Sequence, residues 1–276
     1  MIINIVVMLL SLGVTGIIYY YTGMYQTWGF YFIAPVMFVV SFFIILFLYM
    51  FILFIFSYIL KASKAKLKPR KFFYGIIKET TIALMIMARV KIRKHNMKEA
   101  PKKERFLIVS NHQSNFDPML VFKCFRTYPI SCITKPKNLD IPIAGGWIKY
   151  AGFIPINREN NYEAVKSITL ASKFIKEDKA SICIYPEGTR NFDGGLLDFH
   201  PGSFKIATKA QCPIAICCTE NTKMIKKNFP YHRTVVDFSL LKVLYPEEYN
   251  KMTTIEIAEY ARNLILNKLN ENKAAN

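Results

Sequence analysis

The stretch FLIVSNHQSNFDPMLVFKCF, residues 106–125, decides the fold of the larger part of this chain. Its apolar start at 106–110 predicts a short buried strand. The run that begins at Asp117 predicts a helix, with Asp117 at the N-cap and Pro118 at the first helical position. The polar segment NHQSNFD therefore forms a loop from a strand to a helix, which is a common place for chemistry in α/β proteins.

The same alternation continues on both sides of this stretch. Amphipathic patterns predict helices, and short apolar or alternating runs predict strands. Helices are expected at 72–88, 161–178 and 253–270, and strands at 90–94, 130–134, 153–157, 181–185, 213–218 and 234–243. We therefore predict an α/β fold with a mixed sheet flanked by helices.

The first sixty residues have a different composition. The chain of 276 residues carries 37 Lys and Arg against 19 Asp and Glu, yet residues 1–60 contain no charged residue and no His. The apolar runs 2–21 and 30–60 each reach the ~20 residues that cross the hydrocarbon core of a bilayer. We predict an N-terminal two-helix membrane hairpin with a turn at GMYQTWGF, and we expect Pro35 to break the second helix, leaving 36–60 as the span.

A basic run, KASKAKLKPRK at 61–71, directly follows the second apolar run. Basic residues beside a span stay on the cytoplasmic side, so this run predicts that residues 72–276 lie on the cytoplasmic face of the membrane. We expect this membrane to be a bacterial inner membrane. We divide the chain into a transmembrane hairpin with a basic linker, 1–71, and an α/β domain, 72–276. A secretory signal is not expected, because no basic residue precedes the first run and a second run follows it.

Other classes are disfavoured by the composition. The hydrophobic content of 52% argues against a disordered chain. The six cysteines have no C-x-x-C spacing and lie in apolar stretches, which favours buried free thiols over disulfides or a zinc site. The net charge of +18 is compatible with nucleic-acid binding. No nucleic-acid motif is recognisable, however, and an anionic membrane surface explains the charge as well.

Three motifs suggest chemistry. The first contains a histidine, and the second ends in an arginine. In NHQSNFD, a folded loop would bring the Asp117 carboxylate to one nitrogen of His112, which would make the imidazole a general base for a hydroxyl. The plainer alternative is a helix-capping Asp117 and an ordinary loop histidine. In GFIPINR, residues 152–158, a strand-like run ends at Arg158, which by itself reads as an exposed side chain.

The third motif, YPEGTR at 185–190, follows the predicted buried strand 181–185. Gly188 allows the backbone to turn or to approach a ligand, and Arg190 offers a planar pair of donors to a phosphate. A carboxylate cannot face a phosphate without cost, so we expect Glu187 to hold an Arg, a Lys or a hydroxyl. The alternative is an ordinary Pro/Gly turn.

The three motifs together, in this order, resemble those of the lysophosphatidate acyltransferase family (1-acyl-sn-glycerol-3-phosphate acyltransferases), which belongs to the glycerolipid acyltransferase superfamily. The resemblance spans roughly residues 85–250. Two departures stand out. The fourth motif of the family has two prolines around an apolar pair, whereas this chain keeps Pro213 and has Ile216 in the second place. His200-Pro201 precedes Gly202 where basic residues are usual.

The resemblance implies direct acyl transfer from a thioester of acyl-carrier protein or coenzyme A to lysophosphatidate. In that reaction His112, held by Asp117, would deprotonate the 2-hydroxyl. Arg158 and Arg190 would bind the phosphate, in a pocket shaped by Glu187, Gly188 and Thr189. No metal or redox cofactor is expected, and the partners are membrane lipids and the donor, not nucleic acid.

Two other interpretations stay open. A second acyltransferase of the superfamily, acting on glycerol 3-phosphate or another lysophospholipid, would share all three motifs. A catalytically silent membrane-binding relative would keep the fold but would be free to lose His112 and Asp117. The sequence leaves open the acyl donor, the chain-length preference and the oligomeric state.

Overall fold

The computed structural model describes residues 2–23, 28–62, 69–142, 144–191 and 195–274. The chain divides into two compact units. The first comprises Met1–Ala65 together with Asp140–Trp147, and the second comprises Lys66–Leu139 together with Ile148–Asn276. The domain boundary at residue 71 stays a prediction.

The first unit is built on two long helices, α1 (Ile2–Thr22) and α2 (Phe30–Ala62). Both are long and apolar enough to cross a membrane, over Ile5–Thr22 and Tyr31–Ile59. Most of their large apolar side chains are exposed, as for Leu9 and Phe32, which confirms the predicted hairpin and suits a lipid environment better than an aqueous one.

The expected break at Pro35 is wrong, because α2 runs through this residue without interruption. Pro35 lies close to the helix start, so its missing N–H costs only one hydrogen bond, to the carbonyl of Tyr31. Two other predicted features lie outside the described residues: part of the turn, with Tyr25 and Gln26, and most of the basic run, 63–68.

Small polar side chains hold the two helices of the hairpin together. The hydroxyl of Ser41 on α2 donates to the carbonyl of Ser11 on α1 at 3.3 Å and lies 3.3 Å from the hydroxyl of Thr15. All three side chains are buried. In hydrocarbon such groups have no water to bind, so interhelical hydrogen bonds help to fix the pairing.

A short segment distant in sequence also belongs to the first unit. The indole of Trp147 donates to the carbonyl of Leu53 at 3.3 Å and stacks on Phe56 with ring centres 5.5 Å apart. Next to it, a Cβ on Gly146 would lie 2.6 Å from the carbonyl oxygen of Ser57. Glycine is therefore required for this close approach to α2.

The second unit contains a seven-stranded sheet of order β1-β7-β6-β2-β5-β3-β4. Every neighbouring pair is parallel except β6 and β7, which are antiparallel. This arrangement confirms the predicted mixed sheet. The strands are β1 (Val90–His95), β2 (Leu107–Ser110), β3 (Ile130–Thr134), β4 (Ile154–Pro155), β5 (Ser181–Ile184), β6 (Ile214–Glu220) and β7 (Thr234–Leu244).

Helices flank this sheet and agree with the sequence where the apolar periodicity is long. The strand predicted at 153–157 shortens to the two residues of β4. The short helices at 205–210 and 223–228 were not predicted, because one or two turns carry too little periodicity to recognise. The remaining helices are α3 (Lys71–Met87), α4 (Asp117–Cys124), α5 (Ala144–Tyr150), α6 (Asn161–Lys176), α7 (Lys205–Ala210), α8 (Lys223–Asn228), α9 (Pro246–Tyr249) and α10 (Thr254–Ala274).

The three central strands, β6, β2 and β5, position the site. They are parallel and adjacent, so their carboxyl ends lie at one edge of the sheet. Their apolar side chains are buried, as at Ile108, Ile182 and Ile216, which is typical of a sheet covered on both faces. The loops that follow these strands meet at this edge although they are far apart in sequence.

Candidate active site

His112 and Asp117 form a hydrogen-bonded pair at the carboxyl edge of the sheet. Nδ1 of His112 lies 2.7 Å from Oδ2 of Asp117. The His112 side chain is 19% exposed, whereas the carboxylate is fully buried. One imidazole nitrogen is therefore fixed from inside the protein, as the spacing of NHQSNFD predicted.

The capping role expected for Asp117 is wrong. The N-cap of α4 is Phe116, and Asp117 is the first helical residue. Its Oδ2 accepts from the backbone amides of Gln113 and Ser114, each at 2.7 Å. The loop folds back over the helix start, so the carboxylate meets loop amides instead of helix amides.

A fourth donor to Asp117 comes from the loop after β6. The hydroxyl of Thr222 donates to Oδ1 of Asp117 at 2.5 Å, and both side chains are fully buried. Sequence reasoning missed Thr222, which lies 105 residues away from Asp117. The one feature of the sequence that could have identified Thr222 is its position. It is a hydroxyl residue just after a buried strand, and that strand ends at the edge of the sheet that carries His112.

Glu187 holds the loop of His112 through backbone amides. Its Oε1 accepts from the amide of His112 at 2.6 Å, and its Oε2 accepts from the amide of Leu197 at 3.1 Å. The partner expected from the sequence was an Arg, a Lys or a hydroxyl. Burial raises the pKa of Glu187, and the two amide hydrogen bonds lower it by less.

Tyr185 supports the imidazole from one side. Its ring stacks on that of His112 with centres 4.3 Å apart and planes inclined by 19°. The carbonyl of His112 in turn accepts from the amide of Asn191 at 2.9 Å. The ring of His112 is thus held by Asp117 at Nδ1 and by Tyr185 against one face.

The two predicted arginines are both held by hydrogen bonds at this edge of the sheet. Nη1 of Arg158 donates to the carbonyl of Gly188, and Nη1 of Arg190 donates to Oδ1 of Asn115 at 2.9 Å. The latter contact ties Arg190 to the loop of His112. Thr189, which lies between Gly188 and Arg190 in the sequence, is exposed. All seven residues predicted for the site are therefore at one edge of the sheet.

Gly188 is required by both its conformation and its surroundings. Its φ is +78°, in the left-handed region. A Cβ at this position would overlap Nη1 of Arg158 and would lie 3.0 Å from Nε2 of His200. His200, which departs from the expected motif, is therefore part of the wall around this loop.

The second departure coincides with an irregularity in the sheet. Ile216, where a second proline was expected, is fully buried, and the register of β6 against β7 shifts between Ile216 and Cys217. In the described part of the chain, no group of three or more His, Cys, Asp or Glu side chains is arranged to hold a metal ion.

Comparison with known proteins shows the family to which this chain belongs. A family model described as Acyltransferase matches residues 91–219. The 1-acyl-sn-glycerol-3-phosphate acyltransferase of Salmonella typhimurium is 30% identical over 165 residues, which are 60% of this chain and 67% of that protein. The protein of the same name from Saccharomyces cerevisiae is 27% identical over 206 residues, 72% of this chain and 64% of its own length.

A solved structure shares the fold. The crystal structure of the 1-acyl-sn-glycerophosphate acyltransferase from Thermotoga maritima superimposes with a TM-score of 0.63 at 21% identity. The match covers 82% of this chain and 89% of that one. It includes more of this chain than either sequence relative does.

Proposed function

Because the chain belongs to the 1-acyl-sn-glycerol-3-phosphate acyltransferase family, we propose that it transfers a fatty acyl group from an acyl thioester to the 2-hydroxyl of 1-acyl-sn-glycerol 3-phosphate. The product is phosphatidic acid, used in phospholipid synthesis. The observation that carries the proposal is the pair of His112 and Asp117, with Nδ1 and Oδ2 2.7 Å apart.

The proposed chemistry runs through the other nitrogen of His112. With Nδ1 donating to Asp117, Nε2 accepts the proton of the acceptor hydroxyl while that oxygen attacks the thioester carbonyl carbon. The tetrahedral intermediate then collapses as the C–S bond breaks, and the imidazolium returns its proton to the leaving thiolate. The carboxylate of Asp117 stabilises the imidazolium formed in between. The proposed step uses no acyl-enzyme, metal or redox cofactor.

The acceptor phosphate is assigned to Arg158 and Arg190. A guanidinium has five N–H donors in a planar fork, so the contact of Arg158 with Gly188 uses only part of its capacity. Planar forks match phosphate oxygens two at a time. Gly188 and Thr189 belong to the loop that Arg158 contacts. Glu187 binds the backbone amide of His112 and so fixes the position of that loop.

The proposed acceptor is a lipid, which agrees with the two long apolar helices of the first unit. Two helices of membrane length associate the chain with a bilayer, where the acceptor resides. We assign the catalytic domain to the cytoplasmic face, since the basic run 61–71 directly follows the second helix. We assign the membrane to a bacterial inner membrane, since bacterial proteins are among the relatives of this chain. The donor is a thioester of acyl-carrier protein or coenzyme A, and the net charge of +18 suits an acidic carrier.

The test is an acyl-transfer assay with the purified full chain in mixed micelles. Labelled lysophosphatidate is offered with each thioester separately, beside glycerol 3-phosphate and lysophosphatidylcholine as competing acceptors. Phosphatidic acid as the main product is expected. The proposal is contradicted if glycerol 3-phosphate or lysophosphatidylcholine is the preferred acceptor, or if neither thioester supports transfer.

A pair of matched variants tests the role of His112. His112→Ala should lower kcat by ~10²–10⁴-fold with an unchanged melting profile, because a general base is lost. His95→Ala is the control, since His95 also bonds an Asp, with Nε2 2.9 Å from Oδ1 of Asp237, but on the outer strand pair β1–β7. Wild-type turnover in His112→Ala would contradict the proposed mechanism.

A further inference from the structure

A run of exposed basic and aromatic side chains follows β6, on α8 and the loop after it. We name this run the basic–aromatic band. Residues 221–236 contain no acidic side chain. Two aromatic side chains stand out from the surface, Phe229 at 51% and Tyr231 at 80% exposed. The exposed basic and aromatic members of the band are Lys223, Lys226, Lys227, Phe229, Tyr231, His232 and Arg233.

The end of α3 adjoins this band and extends it. Nη1 of Arg89, just after α3, donates to the carbonyl of Tyr231 at 3.0 Å, and the amide of Thr234 donates to the carbonyl of Arg89 at 3.3 Å. On the last turn of α3, Ile86 and Met87 are exposed apolar side chains. These two segments therefore bring exposed cations and exposed apolar side chains to one region of the surface.

The band lies at the same edge of the sheet as His112. Thr222, which donates to Asp117, directly precedes α8. The strand β7 begins beyond the carboxyl end of β6, where Glu220 pairs with Asp237, and β1 begins opposite Thr234. A partner that binds the band therefore lies at the edge of the sheet that carries His112.

We propose that the basic–aromatic band is the surface through which the second unit contacts an anionic lipid bilayer. Phe and Tyr side chains that directly follow a group of Lys residues suit the boundary between headgroups and acyl chains, where aromatic rings sit among the lipids and ammonium groups meet phosphates. The two helices of membrane length keep this unit within reach of a bilayer. An acidic protein would also be attracted by the charge, but the two helices of membrane length already hold the chain at a bilayer.

This contact goes beyond the proposed reaction, because it concerns how the second unit approaches the lipid. It brings the edge of the sheet that carries His112 to the headgroup level. A lysophospholipid would then reach the site without first leaving the bilayer for water.

Fluorescence quenching tests the contact without any use of activity. The full chain with Tyr231→Trp is reconstituted into phosphatidylglycerol-containing vesicles whose lipids are brominated in the upper acyl chain. The parent protein supplies the background from Trp28 and Trp147. Tyr245→Trp is the matched control, since Tyr245 follows β7 at the opposite edge of the sheet. Strong added quenching at 231 but not at 245 is expected, and equal or no added quenching at 231 overturns the proposal.

Charge reversal distinguishes a lipid from a protein partner. Lys226→Glu/Lys227→Glu should lower turnover on anionic vesicles by at least ~5-fold per residue, and turnover in detergent micelles should stay at the parent level. The control is Lys102→Glu/Lys103→Glu, an exposed pair before β2 at the opposite edge. A loss that persists in micelles with a carrier-protein donor, and is absent with the coenzyme A thioester, would assign the band to an acidic protein instead.

Discussion

The hydroxyl of Thr222 offers a sharp test of how the catalytic pair is held. It donates to Oδ1 of Asp117 at 2.5 Å, while Oδ2 serves His112 and two loop amides. The change Thr222→Val keeps the shape of the side chain and removes only this donor. Oδ1 is then left without that partner in a fully buried position.

The size of the effect follows from the charge of the acceptor. A hydrogen bond to a charged group contributes about 1.5–3 kcal/mol, and each 1.4 kcal/mol is tenfold. If the whole loss fell on the transition state, kcat would drop about 10- to 150-fold. Part of it falls on folding instead, so the drop in kcat is smaller, about 3- to 12-fold for an even split, and it comes with a lower melting temperature. The KM for the acceptor should stay within about twofold, because Thr222 contacts Asp117 and not the phosphate site.

Steady-state kinetics with both substrates varied, together with thermal unfolding, measure this split. Thr222→Ser restores the hydroxyl and should return most of the lost kcat. Thr81→Val is the control for removing a buried hydroxyl elsewhere, on α3. The reasoning fails if Thr222→Val keeps wild-type kcat, or if Thr222→Ser is as slow as Thr222→Val.

Three further outcomes are expected. Arg158→Ala and Arg190→Ala should each lower kcat/KM for the acceptor about 10- to 150-fold, with partial rescue by Lys, and varying the donor should show no matching defect. Gly188→Ala should raise the acceptor KM about 10-fold or more, because a Cβ at φ +78° displaces Arg158, and a wild-type KM would refute this. Burial raises the pKa of Glu187 above its ordinary 4.5, so the stability that its protonated form contributes is lost as pH rises from 4.5 through that raised pKa. The melting temperature of the parent relative to Glu187→Gln should therefore fall over this pH range, and a flat difference would contradict it.

The sequence predicted the long elements of the fold well, because their patterns are strong. The uncharged run before residue 60 has the length of a membrane hairpin, and it forms α1 and α2. The helix α6 repeats apolar side chains at helical spacing, and it ends within two residues of the predicted position. By contrast, α7 and α8 each have six residues, too few for a periodic signal to exceed chance.

The site was predictable as a set of residues, but not as a set of contacts. His112 and Asp117 are five positions apart, so a single loop decides whether they meet. The contact of Thr222 with Asp117 depends on the strand order, because it requires β6 to lie beside β2. That order is set by the packing of the whole sheet. It cannot be predicted from the segment around Asp117 or the segment around Thr222 alone.

Two buried carboxylates explain why this site needs the complete sheet. Asp117 joins the loop after β2 to the loop after β6, and Glu187 joins the loop after β5 to the amide of His112. Each carboxylate is desolvated, so it is stable only when its N–H and O–H donors are in place. His112 therefore reaches its working position only when β6, β2 and β5 lie side by side. On this view Glu187 acts through the backbone of His112, and Glu187→Gln should lower kcat more than it raises the acceptor KM, which is the reverse of the pattern expected from a phosphate ligand.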